Sequence, residues 1–237
     1  TPIPIYVRSF AWFEMHESRC QCKDPFWHSV ESFFRISLFR SAFNDDFIFE
    51  PWLIVPAVYI TPSPEEWGGL WGMPVIWVGS ENGPGAKRWD PPLKDPRDIQ
   101  KLIPAHHRID EAATEIKLSR VADMLGDIVP VVLDRAPLYR MWNGDISTQL
   151  AQIRGIEQIM LDMVDRPSWL HELLSFMRDG ILRTHEQAEA AGDWKLCNHE
   201  NQAMSYALEL SMPSPDPSGV TRDKLWYYCA AQELTLV

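Results

Sequence analysis

The sequence predicts an α/β fold built on a parallel sheet or barrel, and three observations carry that expectation. Ile128-Val129-Pro130-Val131-Val132-Leu133 is a nearly continuous apolar run, as in strands covered on both faces of a parallel sheet. The segments on either side of it show the 3.6-residue periodicity of long helices. Extended runs and helical patterns alternate along the chain, which is the βα order of parallel sheets and barrels.

The elements follow in order. Ile3-Pro4-Ile5-Tyr6-Val7 is a short β-rich run closed by Arg8-Ser9. Asp24-Pro25 opens a helix, Asp as N-cap and Pro at the first helical position, with Phe26, Val30, Phe33, Phe34 and Leu38 on one face. Trp52-Leu53-Ile54-Val55-Pro56-Ala57-Val58-Tyr59 is the next extended run. The Pro-, Gly- and Trp-rich region 61–96 is expected to be an excursion with a short hairpin around Met73-Pro74-Val75-Ile76-Trp77-Val78. Ile109, Ala112 and Ile116 mark a helix that stops at Gly126. Asp134-Arg135 closes the apolar strand with charge. One helix carries Ile146, Leu150, Ile153, Met160 and Val164. Another starts near Asp165-Arg166-Pro167, carries Leu170, Leu174, Met177, Ile181 and Ala188, and ends at Gly192. A last helix is expected over 221–234. That makes about four good parallel strands against the eight of a full barrel, so the chain is expected to be one barrel domain over 1–237, lacking its C-terminal strands.

Composition narrows the function classes. The chain has 237 residues, 46% hydrophobic and 23% charged, the balance of an ordinary globular protein. A net charge of -11 argues against nucleic acid and against anionic membrane surfaces. No apolar run approaches the roughly 20 residues of a membrane span, and no secretory signal is visible, so a cytoplasmic location is expected. Four Cys do not make a disulfide scaffold. Eleven Trp suit core packing first and pocket walls second.

The densest chemistry lies in Trp194-Lys195-Leu196-Cys197-Asn198-His199-Glu200-Asn201, directly after a helix and the connector Ala191-Gly192-Asp193. In an α/β protein a strand emerges there, and ligands bind at its carboxyl end. The bland alternative is a polar loop. Cys197 and His199 are two apart, so on a strand they face one way and could share a zinc ion. Glu200 is a further ligand or a general base. His16, Cys20 and Cys22 form a second cluster with no evident fourth ligand. Arg8, Glu14 and His16 follow the first strand: Arg8 suits a carboxylate or phosphate, Glu14 a cationic or hydroxyl group, unless they are surface ion pairs. Asp134 and Arg135 end the Val-rich strand, and an Asp there suits proton transfer or cation stabilisation. Tyr139, Trp142 and Asn143 follow in the same loop as a pocket wall or as packing. The glycines at 79, 83 and 85 lack the Lys-Ser/Thr of a phosphate loop.

Several segments together resemble the uroporphyrinogen decarboxylase superfamily, which includes porphyrinogen decarboxylases and cobamide-dependent methyltransferases. Residues 3–15 resemble its opening strand and polar loop. Trp89-Asp90-Pro91-Pro92-Leu93-Lys94-Asp95-Pro96 through Leu102 resembles its proline, leucine, aspartate-proline linker. Arg154-Gly155-Ile156-Glu157 into Asp165-Arg166-Pro167 and Leu170-His171-Glu172-Leu173-Leu174 is similar to its central helix pair. Glu189-Ala190-Ala191-Gly192 looks like its approach to the next strand. The resemblance implies a (β/α)₈ TIM-type barrel incomplete at its C-terminus. The family's decarboxylases grip carboxylates with an Arg-rich loop; here Glu14 and Glu17 sit between Arg8 and Arg19, a poor cradle for a polycarboxylate.

The resemblance therefore points to corrinoid-linked methyl transfer on a small methylated substrate. A corrinoid would be carried by a partner protein, zinc would hold a thiol acceptor, and a homodimer is an expected assembly. Porphyrinogen decarboxylation, a lyase reaction on a tetrapyrrole, is the alternative, and a non-catalytic binding subunit is the third. In this chain Cys precedes His, the reverse of the family's zinc motif, so Asn198, His199 and Glu200 suit substrate contacts better than Cys197 suits a metal. His199, Glu200 and Asp134 are expected to be catalytic, with Cys197 and His199 as the candidate metal ligands. Arg8, Glu14, His16, Arg135, Trp142, Asn143, Asn198 and Asn201 are expected to contact substrate.

Overall fold

The computed structural model describes residues 11–62, 71–74, 76–79, 88–140, 143–195 and 197. The chain divides into two compact units, and the described residues of the first are 11–53 and of the second 54–197 with the gaps above. The class is mixed helix and strand with one two-stranded parallel pair.

In the first unit, two short 3-10 turns, Trp12–Glu14 and His16–Ser18, precede helix α1, Pro25–Ser41. The expected start of α1 is met: the Asp24 carboxylate accepts from the Phe26 and Trp27 amides at 3.0 and 3.1 Å. This satisfies donors that have no partner inside the first turn. The expected apolar face is less covered than its spacing suggests, since Phe33 and Leu38 are exposed. The Arg40 guanidinium instead lies 3.8 Å over the Phe47 ring. Glu31 accepts from the Gln21 and Cys22 amides at 2.8 Å each and from Arg35 at 2.7 Å. The Cys22 amide first, then Arg35, hold its carboxyl down at about 2.

Strand β1, Leu53–Pro56, which belongs to the second unit from Ile54 on, pairs with β4, Val131–Asp134. The chain then continues as Val58–Ile60 against 108–110: Ile60 donates to the Arg108 carbonyl at 2.9 Å and Asp110 to the Val58 carbonyl at 2.8 Å. Strands β2, Ile76–Val78, and β3, Arg88–Asp90, form an antiparallel pair in register Ile76 to Asp90. Both strands lie within the 61–96 region, and residues 80–87 between them lie outside the described residues.

Helix α2, Glu111–Leu125, is capped by Asp110, whose carboxylate accepts from the Ala113 amide at 2.9 Å. Its buried positions are Thr114 and Val121, whereas Ile116, expected on the core face, is exposed. Thr114 is buried because its hydroxyl oxygen accepts from the Val58 amide at 2.9 Å. Strand β4 starts three residues later than its apolar run, because Ile128 and Val129 donate to the Leu125 carbonyl as a turn leaving α2. Val131, Val132 and Leu133 are half-buried, not covered on both faces.

The helix expected over 146–164 is two: α3, Ile146–Arg154, and α4, Ile156–Asp165. Gly155 has φ of 85°, a left-handed conformation that ends α3, and a Cβ there would meet Pro91 Cγ at 2.9 Å. The break turns Met160 and Val164 outward and buries Ile159 and Asp162. Asp162 has no solvent access and accepts from Arg154 at 2.6 and 3.0 Å, Arg166 at 2.8 Å and Gln158 at 3.2 Å. Helix α5, Pro167–Ala190, follows with Pro in its first turn as expected. It buries Leu170, Leu173, Met177 and Ile181 in a core with Trp71, Leu93, Leu150 and Ile153.

Candidate active site

The carboxyl ends of β1 and β4 carry a group of polar side chains, drawn from residues distant in sequence. Asp134, the last residue of β4, is buried. Its carboxylate accepts from the Ala136 amide at 3.0 Å and from both terminal nitrogens of Arg140. Arg135 points to other partners: it makes a two-point ion pair with Glu111 at 2.7 and 2.8 Å and donates from Nε to Asp193 at 2.5 Å. The Glu111 pair first, then Asp193, stabilises the Arg135 cation.

Asp193 is buried, and its second oxygen meets His107 Nε2 at 2.8 Å. The chain sets up this contact through backbone bonds. The Asp193 amide donates to the Ala188 carbonyl at 2.9 Å, which closes α5. The His107 amide donates to Gln187 Oε1 at 2.8 Å, and the Ile103 amide to the Trp71 carbonyl at 3.0 Å. The His107 side chain is only 4% exposed, and among the described residues its Nδ1 has no hydrogen-bond partner.

A crevice opens beside His107. It is lined by Tyr59, Ile60, Thr61, His106, Leu138, Tyr139 and Thr184, among others, and has room for roughly one water molecule. The Tyr59 hydroxyl donates to the Ala136 carbonyl. Burial first, then the charge of Asp134, pushes that hydroxyl's ionisation far above its ordinary value. Burial does the same to Tyr139.

Of the residues singled out from the sequence, Asp134 and Arg135 stand at this site. Cys197 lies against β4: its thiol donates to the Leu133 carbonyl at 3.6 Å and is buried. Burial, and secondarily the Asp134 charge, raises the Cys197 thiol to about 11, so it stays protonated at neutral pH. Asn143 is half-buried in the turn after Tyr139, its amide donating to the Arg140 carbonyl at 3.1 Å. Glu14 and His16 are exposed residues of the first unit. Cys20 is half-buried and Cys22 exposed in that unit. Arg8, Trp142, Asn198, His199, Glu200 and Asn201 lie outside the described residues. Among the described residues, no three His, Cys, Asp or Glu side chains converge as a metal-binding group.

Sequence reasoning missed His107, Asp193 and Arg140. His107 sits in Pro104-Ala105-His106-His107-Arg108, a stretch with no strand or helix period. The only signal was two adjacent His next to the capping residue Asp110. Asp193 reads in the sequence as part of the connector Ala191-Gly192-Asp193, whereas its carboxylate joins His107 and Arg135.

No protein-family model, curated protein or solved structure matches the chain. Among the described residues, no helix is long and apolar enough to cross a membrane.

Proposed function

We propose that the chain is a cytoplasmic enzyme of the uroporphyrinogen decarboxylase-like kind, a TIM-type barrel in which β1 and β4 are two of the strands. It would move a methyl group between a small molecule and a corrinoid held by a partner protein. The observation that carries this reading is the polar group at the carboxyl ends of a parallel strand pair: Asp134–Arg140 on one side, Glu111–Arg135–Asp193–His107 on the other. Parallel α/β folds put their chemistry there.

The crevice beside His107 is far too small for a corrinoid, which would stay on its partner. The corrinoid would supply the exchangeable methyl group. This chain's own residues would bind the small reactant at the strand ends and manage its proton. Arg135 and Arg140 are both engaged by carboxylates, so the strand end holds Asp134 and Asp193 in place more than it offers guanidinium groups to a polycarboxylate. That favours methyl transfer over porphyrinogen decarboxylation.

The test is a pair of assays on the purified chain. Methylcobalamin with 2-mercaptoethanol should lose its methyl group in proportion to enzyme, and uroporphyrinogen should release no CO₂. Loss of CO₂ without demethylation would reverse the assignment.

A further inference from the structure

We propose that the outer face of α4 docks a basic amphipathic helix of a partner protein. Helix α4 is apolar on both sides. Of its six apolar residues only Ile159 is buried; Ile156, Met160, Leu161, Met163 and Val164 are exposed, Val164 at 81%. A surface helix turns a polar face to water, and one that is apolar all round is normally covered. These five residues leave on the order of 500 Å² open, as much as the largest apolar patch of a typical monomer, and such patches mark interaction sites.

The opposite edge of the helix fixes this face outward. Asp162, without solvent access, accepts from Arg154, Gln158 and Arg166. Rolling α4 to cover Met160 would draw Asp162 away from Arg154 and break a buried ion pair. Ile156, Met160 and Val164 form an i, i+4, i+8 row, the kind of ridge that fits the groove of a second helix. Methionines at 160 and 163 let the surface adapt to the side chains it meets.

The charge beside that row selects the occupant. Glu157, Leu161 and Asp165 form the neighbouring row, with a carboxylate at each end, about 12 Å apart along the axis. Both carboxylate residues are exposed, and among the described residues neither has an ion-pair partner. The nearby Arg166 is held by Asp162. Against a second copy, parallel or antiparallel, this row brings carboxylate to carboxylate, and the net charge of -11 adds to the repulsion. A helix with Lys or Arg eight residues apart, beside an apolar stripe, meets both carboxylates and covers the row between them. None of the polar group at the strand ends comes from α4, so the proposal stands apart from the reaction proposed above.

Fluorescence anisotropy of the whole chain with labelled synthetic peptides tests this. The probe is a helical peptide of leucine, alanine and lysine of about 15 residues, the length at which an isolated helix begins to hold. It carries one apolar stripe and two lysines eight residues apart beside it. Saturable binding that weakens as salt rises is expected. Met160→Glu, which sets a charge into the apolar contact, should weaken it at least about 10-fold. Glu157→Lys with Asp165→Lys should abolish binding of the lysine peptide and create binding of its glutamate counterpart. Ile116→Glu, at an exposed position of α2, should change nothing. All these positions are exposed, so the variants should keep the wild-type melting curve; should one α4 variant fail to fold, the other decides. No saturable binding, equal binding of a scrambled peptide, or α4 variants that bind like the wild type, overturn the proposal. Sedimentation showing wild-type dimers that Met160→Glu abolishes would put a second copy on the face and overturn it as well.

Discussion

Asp162→Asn is expected to be among the most damaging single-atom changes in the second unit. The Arg154 side chain is 1% exposed and Asp162 fully buried. Breaking such a pair by removing one charge costs about 3–5 kcal/mol, because the other charge is left uncompensated. Arg154 keeps two carbonyl acceptors, Leu93 and Lys94, at 2.8 and 2.7 Å, which argues for the lower end, about 3 kcal/mol. For a chain of this size that corresponds to a fall in Tm of roughly 6–12 °C. Scanning calorimetry and urea titration would measure it.

The double variant Arg154→Met with Asp162→Leu should recover most of the loss, because it leaves no stranded charge. Acid provides a second reading. Burial pushes the Asp162 carboxyl up, but the hydrogen bonds from Arg154, Arg166 and Gln158 outweigh it and hold the group below its ordinary value. A carboxyl lowered in the folded state contributes stability that is fully present above its unfolded value, about 3.9, and is lost as pH falls below it. The wild type should therefore lose this stability below about pH 4, and Asp162→Asn should lack that component of the acid response. A loss under about 1 kcal/mol, or an unchanged acid response, would refute the role given to the pair.

Other expectations follow from single contacts. Gly155→Ala forces a side chain into a left-handed backbone and against Pro91, so it should cost about 1–3 kcal/mol in a urea melt. Trp71→Phe strands the buried Gln149 Oε1, which Trp71 Nε1 meets at 3.0 Å, and should cost about 1–3 kcal/mol by the same measurement. Cys197, buried and with its thiol near 11, should react with iodoacetamide at neutral pH at least about 10-fold more slowly than a simple thiol of ordinary acidity. Mass spectrometry of the modified peptides reads that rate, and fast labelling of Cys197 would contradict its burial against β4.

Local signals carried the ends of the elements. Asp24-Pro25 starts α1, Gly126 marks the end of α2, and Pro167 opens α5, each through a capping or φ constraint that acts within a few residues. Apolar spacing was less reliable where one contact decides burial. Thr114 goes inward for a hydrogen bond to Val58, and Ile116 stays out. The break at Gly155 was hidden because the apolar period continues across it, while the glycine's φ depends on Pro91 packing close by.

The site was half legible. Asp134 and Arg135 stood out because charge follows an apolar strand. His107 and Asp193 did not, because the contact that joins them spans 86 positions and neither lies in a periodic segment.

The central claim is that the polar group at the carboxyl ends of β1 and β4, His107 among it, serves methyl transfer. Its most direct measurement is the rate at which the wild-type chain and His107→Gln remove the methyl group from methylcobalamin in the presence of 2-mercaptoethanol. Enzyme-dependent demethylation that falls by roughly 100-fold or more in the variant, with the fold intact, is the predicted result. Equal rates in the two proteins, or no demethylation by the wild type, would contradict it.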